Sequence, residues 1–253
     1  ESQNSLMSNA YHKANYVFYQ SEFCKISANK FLGERKGPGE ILYNSVNTEF
    51  FKPLEKNDPY FPQFVFLLTG KFNNHIFYRL DSSVRALALA RKMGLDCNLQ
   101  IAGWMDEKCK ASVTSLVEKL KIKDSVKLTG SYTQNQAPLI YQGANAYLMT
   151  KHNDPCPNTV IEAMACGLPV ICVSSGGLPE LVGDEAGVKI KTGESWDEIL
   201  IPDEKQIAEA MIIVANKCKE MSINARKRSV ELFDIKHWIN RHLIIFKQHL
   251  NEC

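Results

Sequence analysis

The sequence predicts an α/β protein, with a Rossmann-like parallel β-sheet and helices on both of its faces. Two observations lead to this fold class. Short apolar runs of strand length alternate with helical patterns along most of the chain. Most of these runs are continuously apolar, which is typical of strands that are buried on both faces of a sheet.

The first 37 residues predict a helix and one βα unit, which we interpret as the end of an N-terminal domain. In order, the elements are a helix over 4–12, a strand over 15–20 and a helix over 21–32. The stretch GERKGPGE then indicates a linker, because glycine, proline and charge interrupt regular structure. We assign 1–37 to the N-terminal domain and 38–58 to the linker, which contains the strand-like EILYN (40–44).

A fuller series of βα units follows, and we assign it to one domain over 59–234. The predicted strands are 64–70, 98–103, 125–130, 146–150 and 169–174. The predicted helices are 79–93, 107–120 and 204–218, and a further helix over 235–250 has an apolar stripe. We expect the last segment, 235–253, to pack back toward the N-terminal domain.

The overall charge gives no reason to expect nucleic acid as a partner. Lys and Arg total 30 and Asp and Glu total 28, so basic residues act locally. Eight cysteines occur without a CxxC pair, which favours free thiols in a reducing compartment. The chain has neither a signal peptide nor an apolar run of the ~20 residues that span a bilayer. We therefore expect a cytoplasmic protein, and an opening of ESQNS indicates a piece of a longer one.

The loop KHNDPCPN, which follows strand 146–150, is the first candidate site. Ligands of parallel α/β sheets bind at the carboxyl ends of the strands. Pro157 can open the next helix, which leaves the N–H groups of Asn158 and Thr159 without intrahelical partners and facing an anion. Glu162, one turn further on, is suited to accept hydroxyl hydrogen bonds from a ribose. The alternative is that Glu162 only complements the helix dipole.

Two other loops contain candidate residues. Lys71 follows the strand 64–70, and Arg79 stands at the start of the next helix, so both can bind a diphosphate. The alternative is a pair of solvated surface cations. Gly176 and Gly177 allow close approach of a ligand to the backbone, or simply form a tight turn. His152 is interpreted as a polar loop residue.

Three nucleotide and hydrolase motifs are absent from the sequence. It has no GxGxxG after a first strand, no GxxxxGK[ST] and no GxSxG. A dinucleotide cofactor, P-loop ATPase chemistry and an α/β-hydrolase nucleophile elbow are therefore not expected.

The segment DPCPNTVIEAMACGLPVICVSSGGLPELVG resembles the donor-binding signature of glycosyltransferase family 4, the retaining group 1 enzymes with the two-domain GT-B fold. That signature is an acid, seven residues and a Glu leading into EAMACGxPV, a strand and GGxxE. The stretches FLLTGKF, LQIAGW, VKLTGSY and IYQGANAYLMT resemble the strand ends of the same family's second domain. The resemblance implies that this chain is mainly the C-terminal, donor-binding half of a GT-B fold.

The resemblance also implies a role for each matching residue. Glu162 would hold the ribose hydroxyls, and Asp154, an Asp where the family usually has Glu, would contact the transferred sugar. Lys71 and Arg79 would act with these two acids as the catalytic group, by stabilising the diphosphate. The donor-binding positions implied are Gly70, Lys71, Arg79, Gly130, Ser131, Tyr132, Asp154, Pro157, Asn158, Thr159 and Glu162, with the base lying against Ser131 and Tyr132.

The implied reaction moves a sugar from a nucleoside diphosphate to a hydroxyl acceptor with retention of configuration. No metal or other cofactor is expected, since no DxD-like pair is evident. The implied partners are the nucleotide-sugar donor and a glycan or lipid-linked acceptor, with peripheral contact at the inner face of a membrane through the N-terminal domain. The alternatives are a GT-B nucleotide-sugar epimerase and a non-catalytic sugar-nucleotide-binding module.

Overall fold

A computed structural model describes residues 3–54 and 63–250 of the chain, and it confirms the predicted fold class. Its main sheet has six parallel strands in the order β5-β4-β3-β6-β7-β8. The strands are β3 (Phe64–Thr69), β4 (Cys97–Ala102), β5 (Val126–Gly130), β6 (Ala146–Met149), β7 (Val170–Val173) and β8 (Gly187–Ile190). The first five coincide with predicted strands to within a residue or two.

Helices cover both faces of this sheet. They are α3 (Phe77–Lys92), α4 (Glu107–Lys119), α5 (Ala137–Gln142), α6 (Asn158–Ala165), α7 (Leu178–Val182) and α8 (Glu204–Phe233). Aspartates fix the beginnings of two of them, because the Asp106 carboxylate accepts the Cys109 N–H at 2.7 Å and Asp203 accepts two N–H groups of α8.

Alternate residues of β3 enter two separate hydrophobic cores. Leu67 packs with α5, α6 and α7 on one face, whereas Phe66 and Leu68 pack with α3, α4 and α8 on the other. All three side chains are fully buried. The continuous apolar runs therefore reflect a sheet that is covered on both sides, as predicted.

The two edge strands depart from the prediction. In β5 the four residues after Val126 are exposed, so the apolar pattern there does not mark a strand covered on both faces. The other edge strand, β8, was missed by the sequence analysis. It has only four residues, and its central Lys189 is partly exposed, so its pattern is too short and too mixed to recognise.

The helix predicted to end at residue 218 is also longer than expected. α8 continues to Phe233, and a single non-helical residue, Lys217 (φ −113°, ψ 15°), marks a kink inside it. The second half binds the rest of the protein through Arg226, whose guanidinium donates to the carbonyls of Thr48, Phe51 and Ala165. The polar sequence after the kink concealed this continuation.

A smaller parallel sheet lies near the N-terminus and contacts the C-terminal helix. Its elements are α1 (Gln3–Lys13), β1 (Val17–Tyr19), α2 (Glu22–Leu32) and β2 (Gly39–Ile41), and the last helix is α9 (Ile235–Leu250). Arg241 of α9 forms a two-point ion pair with Glu40, at 2.6 and 2.9 Å, and the His242 ring lies 4.3 Å from that of Phe18.

The predicted boundary between the linker 38–58 and the domain 59–234 falls on residues 55–62, which lie outside the described residues. Over 3–54 and 63–250, no helix is long and apolar enough to cross a membrane. The seven cysteines in the same ranges are free thiols.

Candidate functional site

The strand order places a crevice between the loops that follow β3 and β6. The chain runs outward from β3 through β4 to β5, then returns to β6, next to β3, and continues in the other direction to β8. Parallel sheets bind ligands where the strand order reverses in this way, because the two neighbouring loops leave in opposite directions.

A cavity of about 420 Å³ occupies this position, and we call it the donor cavity after the ligand that the sequence resemblance implies. Its walls combine the end of β3, the beginning of α3, the loop after β6 and the amino end of α6. The residues that line it are Asn44, Thr69, Gly70, Lys71, Ile76, Arg79, Met149, Lys151, Asp154, Cys156, Pro157, Asn158 and Thr159. Seven of the predicted site residues are therefore brought together: Gly70, Lys71, Arg79, Asp154, Pro157, Asn158 and Thr159.

Arg79 is buried, so it is not a solvated surface cation. Its side chain is 3% exposed, and one terminal nitrogen donates to the Thr69 carbonyl at 3.3 Å. The Nε atom is buried without a hydrogen-bond partner among the described residues. Burial lowers the pKa of the guanidinium. A buried charge with an unused donor is costly, and an anion in the donor cavity, which this guanidinium lines, would offset part of that cost through its charge.

Besides Lys71 and Arg79, the cavity has a third cation, Lys151, which was not predicted from the sequence. Its ammonium lies 2.8 Å from the Asp154 carboxylate, which is almost buried. The signal was available, since Lys151 is the first residue after the predicted strand 146–150. With the exposed Lys71, the cavity wall has three cationic side chains and one carboxylate, so it favours an anionic ligand.

The helix after Asp154 begins one residue later than predicted. Pro157 is the N-cap in an extended conformation (φ −70°, ψ 118°), and its carbonyl accepts the Val160 N–H at 3.1 Å. The first helical residues are Asn158 and Thr159, whose N–H groups precede the first intrahelical bond. The amino end of α6 therefore still faces the donor cavity, as the sequence predicts.

Glu162 lies beside the donor cavity and does not line it. Its carboxylate accepts the Tyr141 hydroxyl at 2.7 Å, and the Gln134 amide lies 3.5 Å away. Burial raises the pKa of Glu162, and the hydrogen bond from Tyr141 offsets part of this effect. Tyr132 is within electrostatic reach of Glu162 and borders Thr69, which lines the cavity. Glu162, Tyr141 and Tyr132 therefore form a group beside the cavity wall at Thr69, and we call this group the shelf.

Gly130 and Ser131 directly precede Tyr132 of the shelf, at the end of β5. Gly130 has a positive φ of 79°, and no heavy atom lies within 4 Å of the position that a Cβ would take. Ser131 is exposed and Tyr132 is half-buried. The sequence-predicted residues thus form two adjacent groups, one in the cavity and one on the shelf.

The pair Gly176 and Gly177 supports the loop after β6 from behind. A Cβ on Gly176 would lie 2.4 Å from the Asp154 carbonyl oxygen, and one on Gly177 only 2.0 Å from that of Pro155. The Gly177 N–H also donates to the Asp154 carbonyl at 2.9 Å. The close approach that these glycines allow is therefore to the protein's own backbone.

Within the described ranges, no group of three or more His, Cys, Asp and Glu side chains is placed to hold a metal ion. The sequence-based expectation of a reaction without a metal remains a prediction.

The fold and the cavity define a class of protein. A doubly wound parallel sheet whose switch-point cavity has cations and a helix amino end is a Rossmann-like α/β fold that is suited to phosphorylated ligands. More specifically, residues 49–228 match the family model described as glycosyl transferases group 1. The chain belongs to this family.

Several proteins are similar in sequence to parts of the chain. An O-antigen chain mannosyltransferase B from Escherichia coli is 26% identical over 139 residues, which are 49% of this chain and 35% of the relative. A D-inositol 3-phosphate glycosyltransferase from Segniliparus rotundus is 31% identical over 85 residues, 33% of this chain and 18% of the relative. This chain thus spans only about a third, or less, of the length of these relatives.

Solved structures share the fold at low sequence identity. The sucrose-phosphate synthase of Thermosynechococcus elongatus has a TM-score of 0.79 at 18% identity, over 99% of this chain and 62% of that one. Anabaena HepE, solved in complex with UDP-glucose, has a TM-score of 0.74 at 18% identity, over 97% of this chain and 67% of that one. The C-terminal domain of a group 1 glycosyl transferase from Francisella tularensis has a TM-score of 0.63 at 17% identity, over 75% of this chain and 99% of that domain.

Proposed function

We propose that this chain is the donor-binding part of a retaining glycosyltransferase of family 4 and corresponds to the C-terminal half of a GT-B fold. It would bind a nucleoside diphosphate sugar whose sugar is transferred to a hydroxyl of a glycan or lipid-linked acceptor. The observation that carries the proposal is the buried Arg79 guanidinium with an unused donor, which shares one cavity with Lys71 and the amino end of α6.

The cations of the donor cavity would stabilise the leaving group. Cleavage of the bond between sugar and diphosphate leaves negative charge on the diphosphate oxygens. Arg79 is held in place before any ligand arrives, and Lys71 and the N–H groups of Asn158 and Thr159 face the same space. Preorganised donors of this kind lower the barrier because little reorganisation is needed as charge develops.

The two acids would serve different parts of the donor. Asp154 lines the cavity and would contact the transferred sugar, and its ion pair with Lys151 fixes the carboxylate. Glu162 on the shelf would accept the ribose hydroxyls, and the base would lie against Ser131 and Tyr132. The UDP-glucose complex of Anabaena HepE, which has the same fold, supports a donor of this class.

The substitution Glu162→Ala tests the assignment of the ribose. We expect it to weaken binding of the preferred nucleoside diphosphate by roughly 1–3 kcal/mol, the range for hydrogen bonds to a charged group. Isothermal titration with UDP, GDP and ADP measures this change. Glu118→Ala, at an exposed position of α4, is the matched control. An unchanged affinity in Glu162→Ala would remove the basis for the assignment.

One observation favours a second candidate, a non-catalytic sugar-nucleotide-binding module. Asp154 is already engaged by Lys151, which reduces its availability to a sugar. Both candidates bind a nucleoside diphosphate sugar, and only the transferase consumes it. We expect the 253-residue chain to bind donor weakly and to transfer little sugar unaided, so robust turnover by this chain alone would contradict our assignment of the donor-binding part.

A further inference from the structure

A second cavity lies across the loop 151–157 from the donor cavity. It has a volume of about 540 Å³, and we call it the aromatic cavity because Phe23, Phe31 and Trp196 form one wall. Phe23 and Phe31 belong to α2, whereas Trp196 belongs to the loop that follows β8.

Residues of the loop 151–157 line both cavities. Asp154 and Cys156 line the donor cavity, and Asn153 and Pro155 line the aromatic cavity. The two cavities therefore lie on either side of the same loop.

The aromatic wall is held rigidly from two directions. The Trp196 ring stacks on Phe23 with centroids 4.9 Å apart and planes 9° apart, and it meets Phe31 edge-on at 5.5 Å. The preceding carbonyl, of Ser195, accepts hydrogen bonds from the His152 ring at 3.0 Å and the Asn153 amide at 2.7 Å. Trp196 is thus fixed to the residues just before Asp154.

Helix α2 is fixed as well. The Glu180 carboxylate accepts the N–H groups of Glu22 and Phe23, at 2.9 and 3.1 Å. Because both sides of the aromatic wall are anchored, the cavity exists before any ligand binds, and its volume is within the usual range for small-molecule sites.

The lining of the aromatic cavity suits an apolar chain better than a sugar ring. Met7, Ala28, Leu32 and Pro155 continue the apolar surface beyond the three aromatic rings, and the remaining lining residues are Asn4, Cys24, Ser27 and Asn153. The Asn153 amide is already used by Ser195. A sugar needs several hydrogen bonds and an open aromatic face, and one face of Trp196 is covered by Phe23.

A cation marks the rim of the cavity. The Lys30 ammonium lies 5.8 Å from the ring centroids of both Phe31 and Trp196. Lys30 is exposed, and no ion pair joins it to a carboxylate of the described residues. An apolar cavity with an exposed cation at its rim complements an amphiphile that carries an anionic group.

We propose that the aromatic cavity binds the apolar chain of an anionic amphiphile, such as an isoprenoid or acyl phosphate, with Lys30 contacting the anionic group. This assignment rests on the proposed function, because it identifies the amphiphile as the anchor of a lipid-linked acceptor beside the donor. Pro155 and Asn153 contact the anchored chain, and Asp154 contacts the donor sugar on the opposite side of the same loop.

Geranyl monophosphate, used below its critical micelle concentration, is a suitable probe for ligand-observed NMR. We expect it to bind the wild-type chain and the control Trp104→Ala, whose tryptophan is exposed and lines neither cavity. Trp196→Ala should bind it at least tenfold more weakly. Ala28→Phe, which fills the cavity from α2 and leaves Trp196 in place, should have the same effect if Trp196→Ala proves unstable. UDP affinity should be unchanged in all these variants.

The charge at the rim is tested separately. Lys30→Gln should weaken geranyl monophosphate several-fold and leave the weaker binding of uncharged geraniol unaltered. Equal binding of geranyl monophosphate by wild type, Trp196→Ala and Ala28→Phe would overturn the assignment. So would Trp196-dependent binding of methyl glucopyranoside alone, or Trp196-dependent self-association of the chain without binding of the probe, since a sugar or a second copy would then be the occupant.

Binding of UDP tests the donor cavity, whereas binding of geranyl monophosphate tests the aromatic cavity. Binding of UDP without binding of geranyl monophosphate would reject only the aromatic cavity as an amphiphile site. Trp196-dependent binding of geranyl monophosphate without binding of any nucleoside diphosphate would instead reject the proposed function.

Discussion

The two cavities beside the loop 151–157 share a backbone but differ in the chemistry of their walls. The donor cavity has Lys71, Arg79 and Lys151 around one carboxylate, whereas the aromatic cavity has rings and aliphatic side chains with one cation at its rim. The difference arises because the loop turns at 152–153 and bends at 155–156, which places Asp154 and Cys156 toward one cavity and Asn153 and Pro155 toward the other. A single loop can therefore serve two ligands of unlike chemistry.

Both cavities depend on the packing of Gly177 against the backbone of the loop 151–157. Gly177 lies against the Pro155 carbonyl and donates to that of Asp154. A change in this backbone support should affect both cavities, and a change in a single side chain should affect only one.

The substitution Gly177→Val should affect both cavities. Its Cβ would lie 2.0 Å from the Pro155 carbonyl oxygen, so the loop must move. Overpacking of this kind typically costs up to about 3 kcal/mol of the free energy of unfolding, which urea denaturation measures. We also expect binding of both UDP and geranyl monophosphate to fall.

Gly193→Val is the control for that experiment, because the nearest atom there is the end of the flexible Leu200 side chain, 3.3 Å from the added Cβ. If Gly177→Val weakened binding of only one of the two ligands, the two cavities would not depend on common support.

The substitution Arg79→Met should affect the donor cavity alone. Loss of charge-assisted hydrogen bonds to a diphosphate should weaken UDP binding by about 2 kcal/mol. The free energy of unfolding should not fall, because removing a buried cation whose Nε has no partner relieves a desolvation cost. Titration with UDP and urea denaturation measure the two quantities.

Arg85→Met, on the exposed side of the same helix, is the matched control, since its guanidinium pairs with Asp81 at 2.8 Å. A loss of stability in Arg79→Met without a loss of UDP affinity would show that Arg79 is a purely structural residue.

The substitution Lys151→Ala should have the smallest effect on stability. Its side chain is 41% exposed, so its ion pair with Asp154 should contribute less than about 1 kcal/mol. A double-mutant cycle with Asp154→Asn measures the coupling between the two side chains. A coupling well above 1 kcal/mol would mean that the carboxylate is more strongly desolvated than its surroundings indicate.

The sequence predicted the parts of the fold and site that depend on local pattern. The strands β3, β4, β6 and β7 were recognisable because each is a short apolar run, and the site loops follow from the rule that ligands lie at the carboxyl ends of parallel strands. Asp154, Pro157, Asn158 and Thr159 were predicted because they lie close together in one motif after such a strand, and the structure places all four at the donor cavity.

The parts that were missed depend on contacts distant in sequence. The burial of Arg79 results from packing against Thr69 and Met149, the latter 70 residues away. The role of Gly177 becomes clear only when α7 is placed behind the loop 151–157. Trp196 stacks on a ring 173 positions earlier in the chain, and no local pattern marks that pair.

The Ser195 carbonyl, which holds both His152 and Asn153, has a consequence for the order in which ligands bind. A displacement of Trp196 would be transmitted through this carbonyl to the segment that carries Asp154. If UDP tightens binding of the amphiphile by some factor, the amphiphile must tighten binding of UDP by the same factor. Cooperative binding of the two substrates would then require a displacement of the loop 151–157 alone, without movement of the sheet.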